Sequence, residues 1–158
     1  MGNIFAGSEI IEIGIQIEKN GKDFYTTLVK KSKDQKAKKI FGYLAAAEDK
    51  HITVFQGLLE TVRKYEPSEA YPGEYFDYMN ALASEHIFTK QNQGELAAKK
   101  TGNDKEAVDI GIGFEKESIL FYEGMKKIVP ESDQTVVNAL IQEEQTHLDK
   151  LNELRKIL

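Results

Sequence analysis

The sequence predicts an all-α protein: a four-helix bundle of two pseudo-symmetric helix pairs, joined by a long crossover that contains a short helix. Three observations lead there. Four long segments carry apolar residues in unbroken alternation of three and four. Turn-forming residues cluster in a few places between them, and the second half of the chain repeats the first at an offset of about 96 residues.

The first helix is expected from about Ser8, read as an N-cap, to about Lys31, with a seam of Ile11, Gly14, Glu18, Gly21, Tyr25 and Leu28. The second, about Asp34 to Lys64, gives Phe41, Leu44, Glu48, His51, Phe55, Leu58 and Val62, and Pro67 stops anything further. Residues 65–103 form the crossover, in which "EYFDYMNALASEHIF" reads as a short amphipathic segment and "TKQNQGELAAKK" as a polar tract. A connection of that length carries the chain back along the bundle, so the second and third long helices are expected to be parallel neighbours. The third long helix, about Asp104 to Ile128, presents Val108, Gly111, Glu115, Ser118, Tyr122 and Met125, flanked by Ile112, Phe114, Ile119 and Phe121. The fourth, from about Glu131 to the end, presents Val137, Leu140, Glu144, His147, Leu151, Leu154 and Leu158. One domain is expected over 1–158, with helix pairs at about 8–64 and 104–158.

Composition narrows the function. A net charge of -5, with lysines scattered among glutamates, provides no basic stripe to grip nucleic acid. No apolar run approaches the roughly 18 residues of a membrane span, and the start of the chain lacks a basic leader, so a cytoplasmic location is expected. There is no cysteine, which excludes disulfides, zinc ribbons and thiolate-bound clusters within this sequence. Any metal must sit on His, Asp, Glu or Tyr.

The repeat is specific. "IQIEKNGKDFYTTL" aligns with "IGFEKESILFYEGM", placing Glu18 and Tyr25 97 residues before Glu115 and Tyr122. "LAAAEDKHITVF" aligns with "LIQEEQTHLDKL", placing Glu48 and His51 96 residues before Glu144 and His147. Residues three apart on a helix point to nearly the same side, so each Glu-x-x-His is a two-pronged arm. Four carboxylates at mid-helix core positions, with no lysine or arginine in the seams, cost several kcal/mol each unless something neutralises them. Two divalent cations do so. One Glu from each of two helices and Glu-x-x-His from each of the other two is the ligand set of di-iron and di-manganese bundles. An oxygen-rich set without thiolate favours iron or manganese over copper or structural zinc. The metal candidates are therefore Glu18, Glu48, His51, Glu115, Glu144 and His147. Tyr25 and Tyr122 are candidates for hydrogen bonds to those carboxylates, with plain core filling as the alternative. His86 lacks an acid at helical spacing in a seam and reads as an ordinary surface or inter-helix histidine. Glu117 and Glu143 point about a third of a turn away and read as solvated flanking acids. Gly14, Gly21 and Gly111 either let helices approach or leave room beside the metals.

These residues resemble the rubrerythrin branch of the ferritin-like superfamily, over both helix pairs and so over most of the chain outside the crossover. The resemblance implies a non-haem di-iron centre on the same six residues. Glu48 and Glu144 would bridge, His51 and His147 would cap one iron each, and Glu18 and Glu115 would be terminal or become bridging. It implies cycling between diferrous and diferric states and reduction of peroxide or dioxygen. Two departures stand out. Rubrerythrins proper carry a rubredoxin domain with four cysteines, so here electrons are expected from an external rubredoxin or reductase. The family's third helix also offers a second acid one turn on, where this chain has Ser118. A ferroxidase or iron-storage protein, a di-manganese catalase, and a structural or sensor protein that binds metal without turnover are the alternatives. A homodimer is the expected assembly.

Overall fold

A computed structural model describes residues 7–64, 73–86 and 88–158. The elements are α1 (Gly7–Lys31), α2 (Gln35–Lys64), α3 (Gly73–Glu85), α4 (Gln93–Lys100), α5 (Asp104–Met125) and α6 (Gln134–Ile157), with short 3-10 turns at Lys126–Ile128 and Glu131–Asp133 before α6. No strand occurs among the described residues. The all-α bundle of two helix pairs is what forms.

Local chemistry sets the ends. Asp34 caps α2, its carboxylate accepting the Ala37 N–H at 2.9 Å while its carbonyl accepts the Lys38 N–H. Asn103 caps α5 by accepting the Glu106 N–H at 2.9 Å, and Glu106 reaches back to accept the Gly102 N–H at 2.7 Å. Ser8 falls inside the first turn of α1 rather than ahead of it, and the expected ends near Ile128 and Glu131 are taken up by the 3-10 turns. Pro67 and its turn-rich surroundings lie outside the described residues.

Every expected seam position is buried except Leu158 at the chain end, which is 39% exposed. α1 packs along α2 and α5 along α6, and the pairs meet as α1 on α5 and α2 on α6. Cross-contacts give the directions: Tyr25 meets Glu115 while Glu18 meets Tyr122, and His51 meets Glu144 while Glu48 meets His147. All four adjacent pairs are thus antiparallel. α2 and α5 run parallel as expected, but across the diagonal instead of side by side, because the crossover traverses the bundle to reach the far side of α1.

The crossover contains two helices, not one. The polar tract forms α4, which lies on α1. Buried Asn20 of α1 holds it: the side-chain amide donates to Phe88 O and Lys90 O, each at 2.7 Å, and its oxygen accepts the Gly94 N–H at 3.1 Å. A Cβ on Gly94 would sit 1.9 Å from the Asn20 carbonyl oxygen, so only glycine permits this approach. Lys31 closes the other end, its Nζ donating to the carbonyls of Ala98 at 3.1 Å and Lys99 at 2.9 Å. α3 lies on α5, where Tyr75 donates to Gly124 O at 2.7 Å. The α1 and α5 side of the bundle is therefore covered by the crossover helices.

Candidate metal centre

Glu18 on α1, Glu48 and His51 on α2, Glu115 on α5, and Glu144 and His147 on α6 converge at the middle of the bundle, all buried. They form two overlapping groups, Glu18, Glu48, His51 and Glu144 on one side and Glu48, Glu115, Glu144 and His147 on the other. Within each group the candidate ligand atoms lie within 4.8 Å of one another. Glu48 and Glu144 belong to both, the geometry of two bridging carboxylates. Helical spacing produces this: a separation of three positions between acid and imidazole puts both on one face, and antiparallel α2 and α6 bring the two arms head to tail.

Both imidazoles turn Nδ1 inward. His51 Nδ1 stands 2.9 Å from Glu144 Oε1, 3.5 Å from Glu18 Oε2 and 3.8 Å from Glu48 Oε2. His147 Nδ1 stands 3.4 Å from Glu48 Oε1, 3.7 Å from Glu115 Oε1 and 3.9 Å from Glu144 Oε1. These contacts are close without being aligned as hydrogen bonds. Eight buried atoms in the six side chains lack a hydrogen-bond partner: Glu18 Oε2, both Glu48 oxygens, His51 Nδ1, Glu115 Oε2, both Glu144 oxygens and His147 Nδ1. The two remaining carboxylate oxygens are taken by tyrosines. Tyr25 donates to Glu115 Oε1 at 2.7 Å, and Tyr122 donates to Glu18 Oε1. Each tyrosine thus serves the acid of the opposite half, which favours hydrogen bonding over the core-filling alternative.

Proton affinities follow from crowding. Burial pushes the Glu48 and Glu144 carboxyls well up, and the neighbouring charges of Glu18 and Glu115 respectively push further. Burial would also raise Glu18, but the close approach of Glu48 and His51 and the hydrogen bond from Tyr122 bring it below the usual range. His51 and His147 are raised despite burial, chiefly by Glu144 and Glu115 respectively. Burial and the adjacent carboxylates of Glu115 and Glu18 push the Tyr25 and Tyr122 hydroxyls far up, so both stay protonated donors. Protons therefore gather where divalent cations would otherwise neutralise the acids. Inward lone pairs, hard oxygen donors and two imidazoles fit a pair of such cations.

One side chain differs from its sequence reading and a second resolves it. Glu143, read as a solvated flanking acid, is 60% exposed yet accepts a hydrogen bond from His51 Nε2, which orients the ring with Nδ1 toward the carboxylates. His86 is buried between the crossover and α5, its Nδ1 accepting the Phe88 N–H at 3.1 Å and its Nε2 donating to Ser118 Oγ at 3.1 Å. Burial holds its pKa down at about 4. The inter-helix half of its sequence reading is what forms. Gly14, Gly21 and Gly111 serve helix approach, since a Cβ there would meet Phe55, Phe114 and Leu151 at 2.8, 2.6 and 3.2 Å.

A four-helix bundle with this buried double cluster is a protein of the ferritin-like di-iron-carboxylate class. The rubrerythrin family model matches residues 9–155, and the chain belongs to that family. A crystal structure of a protein from Thermotoga maritima, provisionally described as a ferritin-like diiron-carboxylate protein, is similar to it at 26% identity and a TM-score of 0.74, over 99% of this chain and 98% of that one. No curated protein matches it. Among the described residues, no helix is long and apolar enough to cross a membrane.

Proposed function

We propose that this protein holds two iron ions and reduces peroxide, or dioxygen, with electrons from an external rubredoxin or reductase. The observation that carries the reading is the double cluster with eight inward, unpartnered ligand atoms. Glu18 and His51 would hold one ion and Glu115 and His147 the other, with Glu48 and Glu144 shared. Bound there, the iron pair supplies one electron from each ion, the two that reduction of hydrogen peroxide to two waters consumes along with two protons. The rest falls to the protein. Phe41 and Phe114 pack on Tyr25 and Phe55 packs on Tyr122, and the tyrosine hydroxyls so placed keep Glu18 and Glu115 from swinging away. The absence of cysteine from the sequence is the reason to place the donor outside it. Manganese is the alternative metal, and a cytoplasmic homodimer is the form in which we propose it works.

Anaerobic mixing of ferrous-loaded protein with hydrogen peroxide tests this. Rapid oxidation followed by repeated turnover on re-reduction is the expected result. A single slow oxidation, or turnover that survives Glu144→Ala, would overturn it. Measured mass separates the reading from iron storage, since storage requires a closed shell and the proposed homodimer does not.

A further inference from the structure

The two halves agree closely in their interior. Gly14 faces Phe55 as its repeat mate Gly111 faces Leu151, the mate of Phe55, and the tyrosine bonds cross between halves in matching fashion. The agreement stops at the outer edges of the two histidines. On α6 the residue before Glu144 is Glu143, and it accepts from His51 Nε2. On α2 the residue before Glu48 is Ala47. Among the described residues, no carboxylate lies within ion-pair reach of His147 Nε2. His147 borders a cleft of about 310 Å³ lined by Tyr43, Ala46, Ala47, Lys50, Glu143 and Thr146, and the Glu143 carboxylate there bonds to His51 and not to His147. The half-exposed ring of Tyr43 stands edge-on to His147 with centroids 6.2 Å apart, and Lys150 lies 4.8 Å over that ring. The repeat mates of Tyr43 and Lys150 on the His51 side are Ala139 and Val54, while Lys50 lines the clefts beside both histidines.

A carboxylate on the outer nitrogen fixes the tautomer and orientation of a metal-binding imidazole and strengthens it as a donor, and losing such a partner typically costs 10–100-fold in affinity. The Glu143 bond to His51 has no counterpart at His147 and so favours the His51 side. We infer that the two metal positions are inequivalent, that the Glu18 and His51 position fills first, and that Glu143 is the positioning residue that ranks them. This rests on the di-metal reading and goes beyond it, because the six ligands alone are symmetric and predict equal positions.

The test is anaerobic titration with Co²⁺, followed by visible absorption and calorimetry on the full chain. Wild type should bind in two steps separated by about tenfold or more. Glu143→Ala should weaken the tight step about 10–100-fold while leaving the weak one in place, so the steps merge. The side chain is largely exposed, so the fold should survive, as circular dichroism would verify. Ala47→Glu offers His147 the partner it lacks, in space bordered by the cleft, and should tighten the weak step. Two equal steps in wild type, or a Glu143→Ala variant that weakens both steps alike or neither, would overturn the inference while leaving the di-metal reading intact. Wild type that binds no Co²⁺ would overturn both.

Discussion

Replacing Glu48 by Leu should stabilise the protein in the absence of metal. Both Glu48 oxygens are buried and unpartnered, and its carboxyl is held protonated by burial beside Glu18. A proton shared with Glu18 meets the need of one oxygen, and each one left unmet costs about 1–3 kcal/mol. Against this stands the reshaping of a close-packed core around a branched side chain, about 1 kcal/mol at a site of similar volume. Replacing buried ionic groups by apolar ones of like size gains about 1–4 kcal/mol in general, so about 2 kcal/mol is the reasoned value here. For a chain of 158 residues that corresponds to a rise in Tm of roughly 4–8 °C. The assay is a pair of thermal melts after exhaustive dialysis against chelator, then again with ferrous iron under anaerobic conditions. On loading, wild type should gain about 2.7 kcal/mol at a hundredfold excess of metal over Kd and overtake the variant, which should gain little. A chelated Glu48→Leu variant that melts at or below wild type would refute the reasoning, because the acid would then be stabilising in itself.

Three further outcomes follow from particular contacts. Gly94→Ala should lift α4 from α1 and cost about 1–3 kcal/mol in denaturant unfolding, whereas Gly57→Ala, on the exposed face of α2 with nothing near its Cβ, should gain roughly 0.5–1 kcal/mol. Tyr122→Phe removes the hydroxyl from Glu18 Oε1 and should lower urea stability of the chelated protein by about 1–3 kcal/mol. His86 has its pKa lowered from 6.5 to about 4, so in that window the unfolded chain binds a proton that the folded chain does not. Stability should be full above pH 6.5 and fall by up to about 3 kcal/mol as pH drops through the window, with a flatter profile for His86→Gln in matched urea melts.

The bundle and its centre were legible because two periodicities coincide in the sequence. The three-four alternation sets which face is buried, and acids that break it at matching places in both halves name the cluster. What escaped depends on the backbone or on surface asymmetry. α4 carries a polar composition and is held through carbonyls and one amide, Asn20, which no apolar pattern reveals. Placement of α2 and α5 on a diagonal follows from the route of the crossover, whereas their parallel direction follows from its length alone. Glu143 sits beside a ligand in sequence but serves the histidine of another helix, and only antiparallel pairing of α2 with α6 brings them together. A signal was present: the doublet "EE" before "QTH" stands against "AE" before "DKH" in the other half. His86 lay at the end of an amphipathic stretch, where its partner, Ser118, could be found only in three dimensions.

The most direct test of the di-metal reading is the iron content of protein loaded anaerobically with ferrous iron and desalted, measured beside a Glu48→Ala, Glu144→Ala double variant. Those two residues are the ones both clusters share, so their loss removes both positions at once. About two irons per chain in wild type and close to none in the variant is the result expected of a dinuclear centre. Iron that fails to bind wild type, or that binds the double variant equally well, would contradict it.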